Sequence, residues 1–261
     1  MPATEDLDLL IDAARESGDI ARRFFKSDPE VWDKDDGAGP VTEADLAIDK
    51  MLRSELLSAR ATYGWLSEET EDDAARLDHE RVFIVDPIDG TRAFIAGERH
   101  FSHSLAIAEK GRVTAAAVYL PMMDLMFAAH EGAPATLNGE MISPTETTAL
   151  DGATVLAAKS NFNDTHWQGG TPPMLRKFRP SLAYRLCLVA QGRYDAMLTL
   201  RDCWEWDIAA GDLIVRQAGG RVTDRLGAPL RFNNPHPKTK GCHAAGEAMH
   251  GALQARLKPA P

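Results

Sequence analysis

A layered α/β fold is predicted for this chain by three observations. Two amphipathic helical patterns open the sequence, strand-like segments follow one another across residues 102–137, and strand and helix patterns alternate from residue 154 onward. Each element has its own justification in the residues.

Residues 6–25 carry Leu7, Leu10, Ile11, Ala14, Ile20, Ala21 and Phe24 at helical spacing, with a cap expected around Thr4 and acids in the first turn. Residues 33–40 are polar and contain glycine, as a mobile loop would. Thr42 then caps a predicted helix over 43–57, whose stripe is Leu46, Met51, Leu52 and Leu56 and whose first turn delivers Asp45. Tyr63-Gly64-Trp65-Leu66 reads as a short strand leading into Ser67-Glu68-Glu69-Thr70. Val82-Phe83-Ile84-Val85 reads as a core strand whose exit is punctuated by Pro87 and Gly90, before a short helix near 92–96.

Segments 102–109, 113–120, 123–129 and 133–137 form an expected antiparallel meander with turns at Lys110-Gly111 and Pro121-Met122. The second half predicts strand 154–158, helix 181–191, strand 195–200, helix 207–218, strands 221–223 and 241–245, and helix 247–257. There is no internal repeat, and the tail Pro259-Ala260-Pro261 is expected to fray. The chain is read as a single unit of two closely packed halves, 1–150 and 151–261.

At 261 residues and 44% hydrophobic composition, the chain can bury a substantial core. Its net charge of −10 argues against a nucleic-acid polymer as partner, since such binders present basic faces to phosphates. Three cysteines, Cys187, Cys203 and Cys242, are odd in number and lack a CxxC spacing, which suggests neither a disulfide framework nor a zinc site. The acidic start lacks a signal-peptide layout, and no apolar run reaches membrane-spanning length. A cytoplasmic protein with no membrane partner is the expectation.

The chemistry concentrates in Asp86-Pro87-Ile88-Asp89-Gly90-Thr91. Asp86, Asp89 and the Ile88 carbonyl are hard oxygen donors of the kind Mg²⁺ accepts, and the N–H groups of Gly90 and Thr91 could open a helix toward an anion. Alone, the segment reads equally well as an Asx-rich turn. Glu68 alone is a solvated loop acid, and Asp207, in Trp204-Glu205-Trp206-Asp207-Ile208-Ala209-Ala210-Gly211, is an N-cap. Together the acidic stretches point to a metal site. His100 and His103 are read as packing or solvated groups, Trp204 and Trp206 as packing against the sheet, and Met122, Met123 and Met126 as core filler.

These motifs, in this order, resemble the inositol monophosphatase superfamily of Mg²⁺-dependent, lithium-sensitive phosphatases, which carry a GEE-like acidic pair, DP[IL]DGT and WD-x-A-[AG]-G. Only the glycine before the acidic pair differs, as Ser67. The resemblance implies an α-β-α-β-α sandwich of the inositol monophosphatase and fructose-1,6-bisphosphatase type. It implies Glu68, Asp86 and the Ile88 carbonyl at one metal, Asp86, Asp89 and Asp207 at a second, and a third, loosely held ion sharing Glu68. Two or three Mg²⁺ ions would thus serve each site. Thr91, held by Asp45, would orient the attacking water beside Glu68, and Asp89, Gly90, Thr91 and Asp207 would border the phosphate.

The substrate class is a small phosphorylated metabolite, and the branches differ. Where inositol enzymes place a Glu seven residues before the WD aspartate, this chain has Leu200. Gly39-Pro40-Val41-Thr42 with Asp45, and the segment Ser181 to Gly192, look more like the CysQ-type 3'(2'),5'-bisphosphate nucleotidases, with Arg185 as a candidate anion partner or as a packing side chain. Inositol-1-monophosphatase is the alternative, followed by histidinol-phosphate phosphatase, since Arg92 follows the DGT. A catalytically silent phosphate-ligand binder would have lost a metal carboxylate, and none is missing. A haloacid-dehalogenase mechanism needs DxD, whereas this turn spells Asp-Pro-Ile-Asp. The resemblance leaves both monomer and homodimer open.

Overall fold

The structure, a computed structural model, describes residues 2–33 and 39–258. The loop expected over 33–40 lies largely outside the described residues, and the proline-rich tail entirely so.

Helix α1 (Pro2–Phe24) starts earlier than its pattern suggested, because Pro2 fits the first turn, where its missing N–H costs nothing. Thr4 is therefore inside the helix and is no cap. A hairpin of β1 (Val31–Asp33) and β2 (Pro40–Thr42) leads into α2 (Glu43–Ala59). Thr42 closes a capping box with Asp45, as the sequence predicts. The buried stripe of α2 is Ala44, Asp45, Ile48, Asp49, Leu52 and Leu56, while Leu46 is 44% exposed. The stripe is turned away from Leu46 because two carboxylates occupy it.

Seven strands follow in a meander: β3 (Gly64–Ser67), β4 (Arg81–Asp89), β5 (Ser102–Glu109), β6 (Arg112–Leu120), β7 (Leu125–His130), β8 (Thr136–Leu137) and β9 (Glu140–Met141). Only β3 and β4 pair in parallel; the rest are antiparallel. The short helix α3 (Thr91–Ile95) sits between β4 and β5. Alternation sorts the residues of β4 cleanly: Phe83 and Val85 face α1 and α2, whereas Val82 and Ile84 face the other way. With both faces covered, the strand is a continuous apolar run.

A second sheet has the order β11-β10-β12-β16-β14. Its strands are β10 (Thr154–Ala157), β11 (Leu175–Lys177), β12 (Ala196–Thr199), β14 (Gly220–Thr223) and β16 (Cys242–Gly246), and a minor pair, β13 (Cys203–Trp204) and β15 (Lys238–Thr239), lies apart. Helices α4 (Leu182–Ala190) and α5 (Glu205–Gln217) fill the space between the two sheets. Leu186, Leu188, Ile208, Leu213 and Ile214 share one core with Ile84 and Val118 of the large sheet and Met197 and Ala244 of the smaller one. Helix α6 (Glu247–Arg256) covers the outer face of the second sheet, where Met249 and Leu253 meet Val155, Leu198 and Trp167. The layers therefore run α-β-α-β-α, as the resemblance implied.

Every other sequence-predicted element forms, within a few residues at its ends. The third meander strand begins at Leu125, since Asp124 adopts a left-handed φ of 51° that keeps the preceding residues in the turn.

Candidate metal centre and active site

The candidate side chains gather at the carboxyl ends of two parallel strand pairs, β3/β4 and β10/β12, and at the helices between the sheets. They surround a cavity of about 500 Å³ whose walls include Glu68, Asp86, Ile88, Asp89, Gly90, Thr91, Arg185, Arg201 and Asp207. Carboxyl ends of parallel strands are where loops can supply chemistry without disturbing the sheet.

Glu68 follows the last residue of β3, and its N–H donates to the Val85 carbonyl at 3.2 Å. Strand β4 does not end at Pro87 but continues to Asp89, with its register to β5 shifting between Asp86 and Asp89. That irregularity lets both carboxylates reach the cavity without leaving the strand. Gly90 then turns the chain at a φ of 105°, a conformation only glycine takes without strain. Asp207 is the third residue of α5, whose N-cap is Trp204 with no side-chain cap bond. Asp207 therefore does not occupy the N-cap position, the alternative its place near a helix start left open, and it lines the cavity.

Oxygens of Glu68, Asp86 and Asp207 lie within 4.8 Å of one another. Asp86 is 1% exposed, and neither of its oxygens has a hydrogen-bond partner among the described residues. Burial pushes its carboxyl well above the usual range, and repulsion from Glu68, Asp89 and Asp207 pushes it further. Asp207 is raised for the same reasons, burial first, then Asp89 and Glu68. Orphaned buried carboxylate oxygens amid like charges are stabilised by a cation, and this hard oxygen donor set fits Mg²⁺.

Asp89 shares the cavity but is held differently. Its Oδ2 accepts from Ser181 Oγ at 2.7 Å and from the Ala183 N–H at 2.6 Å at the start of α4, so only its second oxygen remains for a metal. Burial lifts its carboxyl to about 6, against these hydrogen bonds and the Arg185 charge, which lower it. Asp45 is fully buried; its Oδ2 accepts from the N–H and hydroxyl of Thr42 at 2.9 and 2.5 Å. Thr91 Oγ1 lies 3.3 Å from Asp45 Oδ1 and 3.1 Å from the Ile88 carbonyl, and its single proton can serve one of them at a time.

Arg185 is 7% exposed and lines the cavity. Its Nε donates to the Arg179 carbonyl at 2.5 Å, and its guanidinium lies 4.5 Å from the centre of the Phe178 ring. Packing and exposure to the cavity thus coexist in one side chain. Leu200 is buried in the outer core beside Leu198 and Met249. His103 is buried against the Pro87 carbonyl at 2.5 Å, and His100 stacks on Tyr184, so neither joins the carboxylates.

The residues of this cavity, in this fold, agree with a match to a single family description, "Inositol monophosphatase family", over residues 3–259. The chain belongs to the inositol monophosphatase family. Family relatives include an inositol-1-monophosphatase of Rhizobium meliloti, 34% identical over 197 residues that cover 72% of this chain and 73% of the relative. The Nus factor SuhB of Pseudomonas aeruginosa is 33% identical over 270 residues, covering 97% of each chain. Among solved structures, an IMPase of Thermotoga maritima superposes with a TM-score of 0.81 at 28% identity, covering 96% of both chains.

Sequence reasoning overlooked several residues of the site region. Phe178 and Arg201 line the cavity from loops that carry no motif. Glu205, fully buried, accepts from the N–H groups of Asn233 and Asn234 at 2.6 and 3.0 Å and so anchors the first turn of α5 two residues before Asp207. Asp49 was visible only as a residue one turn beyond Asp45 on α2. Among the described residues, no helix is long and apolar enough to cross a membrane.

Proposed function

We propose that this protein is a Mg²⁺-dependent phosphate monoester hydrolase acting on a 3'(2'),5'-bisphosphate nucleotide, releasing AMP and phosphate from 3'-phosphoadenosine 5'-phosphate. The observation that carries the hydrolase reading is the buried Asp86 carboxylate, without a hydrogen-bond partner among the described residues, facing Glu68 and Asp207 across one cavity. Glu68, Asp86, Asp207, the second oxygen of Asp89 and the Ile88 carbonyl would hold the metal. Magnesium bound there supplies a water of lowered pKa and neutralises phosphate and leaving-group oxygens.

The chain's own groups do the rest. Asp45, fixed by Thr42, accepts the hydrogen bond of the Thr91 hydroxyl, so that the lone pairs of the Thr91 oxygen are turned to accept a hydrogen bond from the attacking water. Glu68 stands beside that position as the proton acceptor. Arg92, Arg185 and Arg201 line the same cavity as the carboxylates, and their positive charges favour a substrate with an anionic group beyond the scissile phosphate. Leu200, where inositol enzymes would place a gripping Glu, offers nothing to a ring of hydroxyls.

Inositol 1-phosphate is the second reading, favoured by the Rhizobium meliloti relative named for that activity. Phosphate release from 3'-phosphoadenosine 5'-phosphate, inositol 1-phosphate and histidinol phosphate, at matched concentrations with Mg²⁺, separates the readings. The bisphosphate should give the highest kcat/KM. Dominance of the inositol ester would transfer the assignment to the second reading, and no release from any ester would end the hydrolase reading.

A further inference from the structure

The acidic pair Glu68-Glu69 is held by a device that the usual glycine before it could not provide. Ser67 Oγ donates to Asp49 Oδ1 at 2.5 Å, and Thr70 Oγ1 donates to Asp49 Oδ2 at 2.7 Å. Both oxygens of one carboxylate thus bridge the first and last residues of Ser67-Glu68-Glu69-Thr70. Each hydroxyl is used a second time as an acceptor. Ser67 Oγ receives the Glu69 N–H at 3.3 Å, and Thr70 Oγ1 receives the Trp65 indole N–H at 3.2 Å.

Asp49 is 8% exposed and, among the described residues, forms no ion pair. A buried carboxylate is tolerated only when its oxygens are well bonded, and short hydrogen bonds to an ionised acceptor are the strong kind. Asp49 also lies four residues after Asp45 on α2, so the two point from the same helix face. One serves Thr91 and the other serves the loop of Glu68.

We propose that Asp49 is a positioning residue that, through Ser67 and Thr70, fixes the loop presenting Glu68 to the metal cluster. The proposal rests on the metal-site reading above. A glycine at position 67 would leave Asp49 Oδ1 and the Glu69 N–H without these bonds, so in this chain the serine and the aspartate act together. Groups that orient a metal ligand without touching the metal typically change affinity by about 10- to 100-fold when removed.

The test uses the full-length protein with manganese as the probe, titrated calorimetrically, and melting temperatures recorded in EDTA. Thr70→Val removes one arm of the clasp, Ser67→Gly the other, and Thr70→Ser restores the hydroxyl. Thr70→Val and Ser67→Gly should each weaken manganese binding about tenfold. Thr70→Ser should bind within about twofold of the parent, and the concentration of Mg²⁺ giving half-maximal activity should shift in step with the binding constants. Parent-like binding in both Thr70→Val and Ser67→Gly overturns the proposal. So does an affinity loss that Thr70→Ser fails to recover, which would mark a packing effect. A parent that binds no manganese refutes the metal reading and this proposal together, whereas parent binding with unaffected variants refutes this proposal alone.

Discussion

Asp89→Asn should make the metal-free protein more stable while removing its response to magnesium. Asp89 is buried, and its carboxyl is carried from an ordinary 3.8 to about 6. The folded state therefore binds a proton more tightly than the unfolded state. Stability falls as pH rises between these values, and the full penalty, about 3 kcal/mol, is present at neutral pH. Asparagine removes the charge, and its carbonyl can still accept from Ser181 Oγ and the Ala183 N–H, though a neutral acceptor is weaker by about 1 kcal/mol. The net gain is about 2 kcal/mol, or roughly 4–8 °C in melting temperature for a chain of this size. In the parent, Mg²⁺ at a hundred times its dissociation constant should add about 2.7 kcal/mol, and the variant should lose most of that increment. Differential scanning calorimetry at pH 7.5, in EDTA and in excess Mg²⁺, measures both effects, and turnover should be abolished. A variant less stable than the parent in EDTA, an undiminished magnesium response, or activity within about tenfold of the parent would each contradict the assignment of Asp89 as a buried metal carboxylate.

Two further outcomes follow from packing. His243 and His250 are buried and stacked at 4.2 Å between centroids, and burial pushes them down to about 3 and about 4, aided at His243 by the neighbouring His250 and at both by Arg221. Their folded affinity for protons is below the unfolded one, so stability is lost as pH falls below about 6.5, by up to about 1.4 kcal/mol per pH unit for each ring. Urea unfolding in excess Mg²⁺ between pH 7.5 and 5.5 measures the slope, and His250→Gln should flatten it; an unchanged slope would count against a neutral pair. Gly211 lies where α5 meets α4, and a Cβ there would sit 2.4 Å from Leu186 Cδ1 and 2.5 Å from its Cβ. Gly211→Ala should cost about 2 kcal/mol through overpacking, seen as a lowered denaturation midpoint, and an unaltered midpoint would mean the two helices part without penalty.

The long elements were legible because burial writes its own period. Strand β5 matches its expected span of 102–109, since seven of its eight residues are buried and the turn Lys110-Gly111 closes it with two left-handed residues. The carboxylate cluster was legible from motif spacing. The end of β4 was not: Pro87 and Gly90 signalled a turn, but pairing to β5 resumes at Asp89 after the irregularity, a tertiary effect that no local propensity carries. Strands of two or three residues, such as β9, β11, β13 and β15, are too short to display alternation. Glu205 was passed over for a related reason. Its partners, Asn233 and Asn234, are remote in the chain, and a buried acid beside a candidate metal ligand looks like any polar helix start until those partners are seen.

Helix α5 touches both sheets at once, since Ile208 and Leu213 belong to a core that reaches Ile84 on one side and Ala244 on the other. Asp207 therefore travels with the middle layer, whereas Asp86 is woven into the large sheet itself. An ion held by these carboxylates would be gripped across a seam, and its coordination would work as a gauge of how the strata are stacked. A sideways slip of the middle layer by a fraction of an ångström would loosen the grip on the ion before any carboxylate is altered, so substitutions buried far from the cavity should first reveal themselves as a hunger for more magnesium.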